Sequence, residues 1–241
     1  MPTALITGAS DGLGRALATE LATRGWELII DARRDDRLAR VAADISARTR
    51  VTAIAGDVAD GEHRRSLIAQ VQRLGRLDLL VNNASTLGPT PLRPLPQLST
   101  ADLARILQVN VLAPFALTRA LLPALATTPP GIVIDISSDA AVEHYPSWGG
   151  YGASKAALEH LTATFALEVP QIAWYAVDPG DMRTQLQQAA FPGEDISDRR
   201  APADVVPALL DLLDRRPTSG RYRAGDGVAS AQGEIAAAAG R

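Results

Sequence analysis

The sequence predicts an α/β fold: a doubly wound parallel sheet with helices on both faces, in a single domain. Three observations carry this expectation. Short apolar runs, ALIT, ELIID, VTAIA, LDLLVN, GIVIDIS and IAWYAV, recur along the chain, and continuous apolar runs of this length suit strands covered on both faces. Between them lie longer stretches of helical patterning near residues 12–24, 34–47, 61–74, 100–125 and 150–167, and repeated β–α alternation predicts parallel pairing. At 241 residues with 46% apolar content, the chain lies within the range that one α/β core serves.

At the amino end, ALITGASDGLGRALA passes from an apolar run through Gly8, Gly12 and Gly14 into an Arg/Ala/Leu helical pattern. Glycine lets the backbone turn sharply and approach a phosphate, and the helix start offers unpaired N–H groups and the positive end of its dipole. A dinucleotide pyrophosphate fits such a turn. The spacing is GxxxGxG rather than GxGxxG, and a plain glycine-rich turn is the alternative. The second strand runs into ARRDD, the third into DV and the fourth into NNAS. Leu87 to Gln97 holds four prolines and reads as a loop, after which Ser99 offers an N-cap for the helix over 100–125. GIVIDIS leads to Ser138, the helix over 150–167 carries Tyr151 and Lys155, and IAWYAV leads into DPGDMRT, where Pro179 and Gly180 make a turn. Residues 225–241, rich in Ala and Gly without a period, are expected to form a weakly ordered tail beyond a domain of residues 1–224.

A net charge of −3 and a pI near 5.6 argue against broad nucleic-acid or anionic-membrane binding, since either calls for a basic face. Small molecules are the expected partners. The absence of cysteine excludes disulfides and thiolate chemistry, and His63, His144 and His160 do not stand at metal-ligand spacing. No metal is expected. The first strand begins within three residues of Met1 and no apolar run approaches ~18 residues. Cytoplasm is therefore the expected location.

Tyr151 and Lys155, four apart in YGASK, share one helix face. A positive charge ~4 Å from a phenol at an effective dielectric of ~20 contributes roughly 4 kcal/mol toward phenolate, enough to lower a pKa of ~10 by up to about three units. A phenol so tuned is a usable general acid or base. The bland reading of YxxxK is two surface side chains.

Taken together, TGASDGLG at 7–14, DV at 57–58, NNAS at 82–85, VNV around Asn110, ISS ending at Ser138, YGASK at 151–155 and DPGDMRT at 178–184 resemble the short-chain dehydrogenase/reductase family. The resemblance spans residues 3 to about 224. It implies a Rossmann-type sheet with the ligand beyond the carboxyl ends of the strands. It implies that Ser138 and Tyr151 hold a substrate carbonyl, and that Tyr151 donates a proton as nicotinamide delivers hydride. Lys155 would tune the phenol and hold the nicotinamide ribose, and Asn110 would hold a water touching Lys155. By the same resemblance, coenzyme contacts fall to Gly8, Ser10, Gly12, Leu13 and Gly14 of the loop, to Asp57 and Val58 at the adenine, to Asn83 and Ala84 along the ribose, and to Gly180 and Thr184. A capping role is the alternative for Asp57, and a structural one for Asn110. The family usually has glycine where Ser85 stands, so a positive φ there would be mildly strained. Asn82 and Asp135 read as structural. His144, Tyr145 and Trp148 lie where they could reach a substrate, with packing or exposure the alternative. Residues 185–200 occupy the family's mobile lid.

Coenzyme choice depends on LIIDARRDD. A carboxylate there would accept ribose hydroxyls of NAD, whereas a guanidinium would pair with the 2′-phosphate of NADP. By family alignment the discriminating site is Ala32 with Arg33 behind it, and Asp31 falls one place too early. NADP is favoured, with NAD the alternative, although Asp11 stands where many NADP-using relatives carry a basic residue. The expected reaction interconverts a carbonyl and a secondary alcohol. A non-redox lyase or epimerase and a dinucleotide-binding regulator are the other readings. The chain lacks the terminal Asp-Gly-Gly of many relatives, so a dimer through the helices at 100–125 and 150–167, rather than a tetramer, is expected.

Overall fold

A computed structural model describes residues 1–127, 129–225 and 229–234. Six parallel strands, β1 (Thr3–Ile6), β2 (Glu27–Ala32), β3 (Val51–Ala55), β4 (Leu79–Asn82), β5 (Ile132–Ile136) and β6 (Ala173–Asp178), coincide with the six apolar runs. Two more, β7 (Gly220–Ala224) and β8 (Ala229–Glu234), complete a sheet of order β3-β2-β1-β4-β5-β6-β7-β8, with only β7 and β8 antiparallel. Strand order reverses between β1 and β4, which pair directly through Ile6 and Val81. A crevice at such a reversal is where an open α/β sheet binds its ligand.

Successive strand residues point to opposite faces, and both faces are covered. Ile6, Ile30, Val81 and Ile134 pack under α1 (Gly12–Thr23), α2 (Asp35–Ser46) and α8 (Pro202–Arg215), where Leu17, Leu38 and Leu209 are buried. Their neighbours Leu5, Ile29, Leu80 and Val133 meet Leu67 of α3 (Gly61–Leu74), Leu117 and Leu121 of α5 (Ala113–Leu125), and Phe165 of α6 (Gly149–Glu168). Each such buried side chain contributes about 1.5–3 kcal/mol. This two-sided burial holds the strand ends, and thus the site, in place.

The tail and the long helix differ from the sequence expectation. The expected tail contributes β8, which pairs with β7 through main-chain bonds from Ala224↔Ala229 to Gly220↔Glu234. Such pairing needs no apolar period, and it carries the domain past 224; residues 226–228 and 235–241 lie outside the described residues. The helix expected over 100–125 is α4 (Thr100–Leu107), a π turn (Gln108–Leu112) and α5. Pro114 has no N–H, so the carbonyl of Asn110 loses its α-helical donor. By length and composition this helical run is also apolar enough to cross a membrane, which short apolar runs did not suggest. In the fold it packs on α3 and α6.

Candidate active site

The loop after β1 turns on Gly8 and Gly12, at φ +68° and +54°, a region that favours glycine. A Cβ at Gly14 would stand 2.6 Å from both Asn83 Nδ2 and the Gly8 carbonyl. The loop is tied down from three sides. Asp31 Oδ1 accepts from Gly8 N at 2.8 Å, and the Asp31 carbonyl accepts from Ala9 N at 2.8 Å. Asn83 Nδ2 donates to the carbonyls of Thr7 (2.7 Å) and Gly8 (3.1 Å). The Asn83 side-chain amide is thus committed to the loop. Asp11 caps α1 by accepting from Gly12 N at 2.8 Å, while the N–H groups of Ser10, Leu13 and Gly14 have no acceptor among the described residues. These are the orphan donors of a helix start, the arrangement that binds an anion.

At the β2 end, Arg34 donates to Gln185 Oε1 at 2.8 Å, while Arg33 is exposed and makes no hydrogen bond or ion pair among the described residues. Asp57, expected at an adenine amino group, is already held: Oδ1 accepts from Ala59 N (2.9 Å) and Oδ2 from Arg105 Nη2 (2.5 Å). Partial burial pushes its carboxyl up, but Ala59 N–H, Arg105 and Arg33 outweigh that and hold it below the usual carboxylate range. Val58 is buried against Val109 and Ala113.

At the β5 end, the residues read from separate motifs come together. The Tyr151 hydroxyl, on α6, is brought beside the hydroxyls of Ser138 and Ser85. One turn on, Lys155 Nζ lies 5.5 Å from the Tyr151 ring centroid and donates to the Ile136 carbonyl at 2.7 Å. Asp135 beneath it accepts from Thr162 Oγ1 (2.6 Å) and Asn82 Nδ2 (2.7 Å), so both residues brace the sheet. Asn110 clamps the β4 end to α6: its amide donates to the Thr86 carbonyl and to Ser154 Oγ, both at 2.9 Å, and accepts from Thr86 N at 2.9 Å. Its side chain is thus engaged by protein groups, while its main-chain carbonyl is the one that Pro114 leaves without an α-helical donor.

The expected acidification of Tyr151 is reversed. Burial of the ring penalises phenolate and pushes the phenol pKa up; the hydroxyls of Ser138 and Ser85 beside it pull it back less, and Asp139 and Asp178 add to the rise. Lys155 is itself buried, which lowers its pKa to about 8 against the opposing pull of Asp135 and Glu159. Desolvation of both partners outweighs the attraction that the spacing predicts.

The cleft joining these parts holds about 1090 Å³, beyond the usual span of a drug-sized ligand site. Trp148 stands edge-on to Tyr151 at 5.7 Å and faces Phe191 at 6.1 Å. Asp139 accepts from Ser138 Oγ and from Tyr145 OH, both at 3.0 Å. Tyr145 and Trp148 line the cleft and His144 does not. Thr184 caps α7 (Gln185–Ala190), and its Cγ2 would lie 3.2 Å from a Cβ at Gly12. Gly180, at φ +68°, donates its N–H to Asp178 at 2.9 Å.

The short chain dehydrogenase family model matches residues 2–195. The chain is a short-chain dehydrogenase. It is 33% identical over 215 residues to the uncharacterized oxidoreductase YciK of Escherichia coli, a match covering 87% of this chain and 84% of that protein. Among solved structures it resembles a short chain dehydrogenase from Pseudomonas syringae, with a TM-score of 0.86 at 34% identity, covering 92% and 93% of the two chains. Another, from Shigella flexneri and complexed with NADP, gives 0.84 at 31% identity over 92% and 95%.

Three contacts of this short-chain dehydrogenase were not visible in its sequence. Ser85 is outside the positive-φ region, so the expected strain is absent, and its hydroxyl also donates to Asn110 Oδ1 at 3.3 Å. Arg105 reaches Asp57 from α4, and His63 reaches Asp31 from α3. Only the departure from glycine at position 85 gave any signal.

Proposed function

We propose that the protein is an NADP(H)-dependent oxidoreductase interconverting a carbonyl and a secondary alcohol, with Tyr151 as the proton donor. One observation carries this reading: a buried phenol stands beside Ser138 in the same cleft that reaches Arg33, which makes no hydrogen bond or ion pair among the described residues. The loop fits a dinucleotide, because Gly14 admits no Cβ and free N–H groups stand at the α1 start. Gly8, Ser10, Gly12, Leu13 and Gly14 would hold the diphosphate, and Asp57 and Val58 would edge the adenine. The Asn83 and Ala84 backbone would follow the ribose, with Gly180, Thr184 and Lys155 toward the nicotinamide. The bound coenzyme supplies or accepts hydride.

Ser138 and Tyr151 orient the substrate oxygen. Burial keeps the phenol protonated at neutral pH, so Tyr151 can donate as charge builds on that oxygen, an interaction that strengthens toward the transition state. The Lys155 ammonium, over the ring, stabilises the phenolate left behind. Asn110 holds the Ser85–Thr86 segment, and thus the second hydroxyl, against Tyr151. Trp148, Leu186 and Phe191 exclude water from the substrate side.

A panel of ketones and secondary alcohols with both dinucleotides, followed at the reduced-nicotinamide absorbance, tests the reading. Turnover with an absorbance change is expected; chemical conversion without one would favour the lyase or epimerase alternative. A pH profile gives a second check. Lys155 loses its proton as pH rises through about 8, and kcat/KM reports groups of the free enzyme. For a non-ionising ketone, kcat/KM is therefore expected to decline above that pH, and a profile flat to pH ~10, the range of an unperturbed lysine, would remove Lys155 from this role.

A further inference from the structure

Asp31 is fully buried, and each of its carboxylate oxygens has a partner. Oδ1 takes the Gly8 N–H at 2.8 Å, and Oδ2 meets His63 Nε2 at 2.8 Å. The Asp31 carbonyl also takes the Ala9 N–H. One residue of β2 thus anchors the first two N–H groups of the glycine loop, and a single side chain from α3 holds that residue in turn. The His63 ring is 6% exposed, and it fits because position 56 is glycine. A Cβ there would lie 2.1 Å from His63 Nδ1. Gly56, His63 and Asp31 are therefore one packed unit beneath the loop, outside the groups that would touch substrate.

A buried carboxylate close under a phosphate site is unfavourable unless it is paired. Its Gly8 contact turns that donor inward, while those of Ser10, Leu13 and Gly14 have no acceptor among the described residues. We propose that His63, acting through Asp31, is a positioning residue that sets the glycine loop for the coenzyme diphosphate. This rests on the dinucleotide reading above. It also accounts for Asp31 as a carboxylate at the end of β2 that is drawn inward rather than offered to a ribose.

The test is the Kd of NADPH for the full chain, with kcat measured at saturating coenzyme. His63→Ala is expected to raise Kd at least about fivefold and to lower kcat by less than about twofold. His63→Gln, whose amide can still donate to Asp31, should keep Kd within about twofold of wild type. The double variant His63→Ala with Asp31→Asn should recover most of the loss, since asparagine still accepts from Gly8 and leaves no unpaired buried charge. A natively folded His63→Ala protein with unchanged Kd overturns the proposal, as does a loss in kcat at unchanged Kd. Should His63→Ala not fold, a fivefold weakening in His63→Gln overturns it. Wild-type protein that binds no dinucleotide would sink the coenzyme reading instead, so the two failures are told apart.

Discussion

Tyr151→Phe is expected to lower kcat for carbonyl reduction by about 10²- to 10⁴-fold, the usual contribution of a positioned general acid. The ring is 7% exposed and packs edge-on against Trp148, so phenylalanine keeps the shape and removes only the hydroxyl. Its two partners are not stranded. Ser138 retains Asp139 at 3.0 Å, and Ser85 retains Asn110 at 3.3 Å. Stability should therefore change by no more than about 1 kcal/mol, the net worth of one hydrogen bond. The Kd for NADPH should change little, because the glycine loop and Arg33 are elsewhere in the cleft. Single-turnover absorbance with enzyme in excess, together with a thermal melt, separates these effects. A folded variant keeping more than about a tenth of wild-type kcat would exclude Tyr151 as the proton donor.

The six parallel strands were legible because each is covered on both faces and therefore reads as an unbroken apolar run. β7 was not, since GRYRA places Arg221 and Arg223 between buried neighbours, where they meet Glu159 and Asp178 rather than water alone. α8 carries Pro207 within, which masks a helical pattern, although Pro202 at its first position is itself a start signal. The convergence of Ser138, Tyr151 and Lys155 in one cleft was legible because motif order puts them at a strand end and on one helix face. Ser85, Arg105 and His63 act through partners 25, 48 and 32 residues away, and such pairing has no local pattern to betray it. The direction of the Tyr151 shift was missed for another reason: spacing shows which charge is near, whereas burial, which decides here, emerges only from the packed fold.

The second large effect is expected at the other end of the cleft, where Arg33→Ala should lower the ratio of kcat/KM for NADPH over NADH by about 10- to 150-fold. That range follows from roughly 1.5–3 kcal/mol for hydrogen bonds to a charged group, at ~1.4 kcal/mol per tenfold. Neighbouring cations are already engaged: Arg34 with Gln185, and Arg105 with Asp57. Among the described residues Arg33 alone of the three makes no hydrogen bond or ion pair, and so is the one free to meet a 2′-phosphate with its planar fork. Ala32 offers no carboxylate to a ribose, and Asp31 is fixed beneath the loop by His63. Because Arg33 is exposed and touches Asp57 only through its charge, behind Ala59 N–H and Arg105, its removal should change the melting temperature and kcat/KM for NADH little. The wild-type KM for NADPH should also rise with salt more steeply than that for NADH, since the extra contact is ionic. Steady-state kinetics with both dinucleotides at two ionic strengths measures all of this, and an unchanged coenzyme ratio in the variant would show that the 2′-phosphate is not read by Arg33.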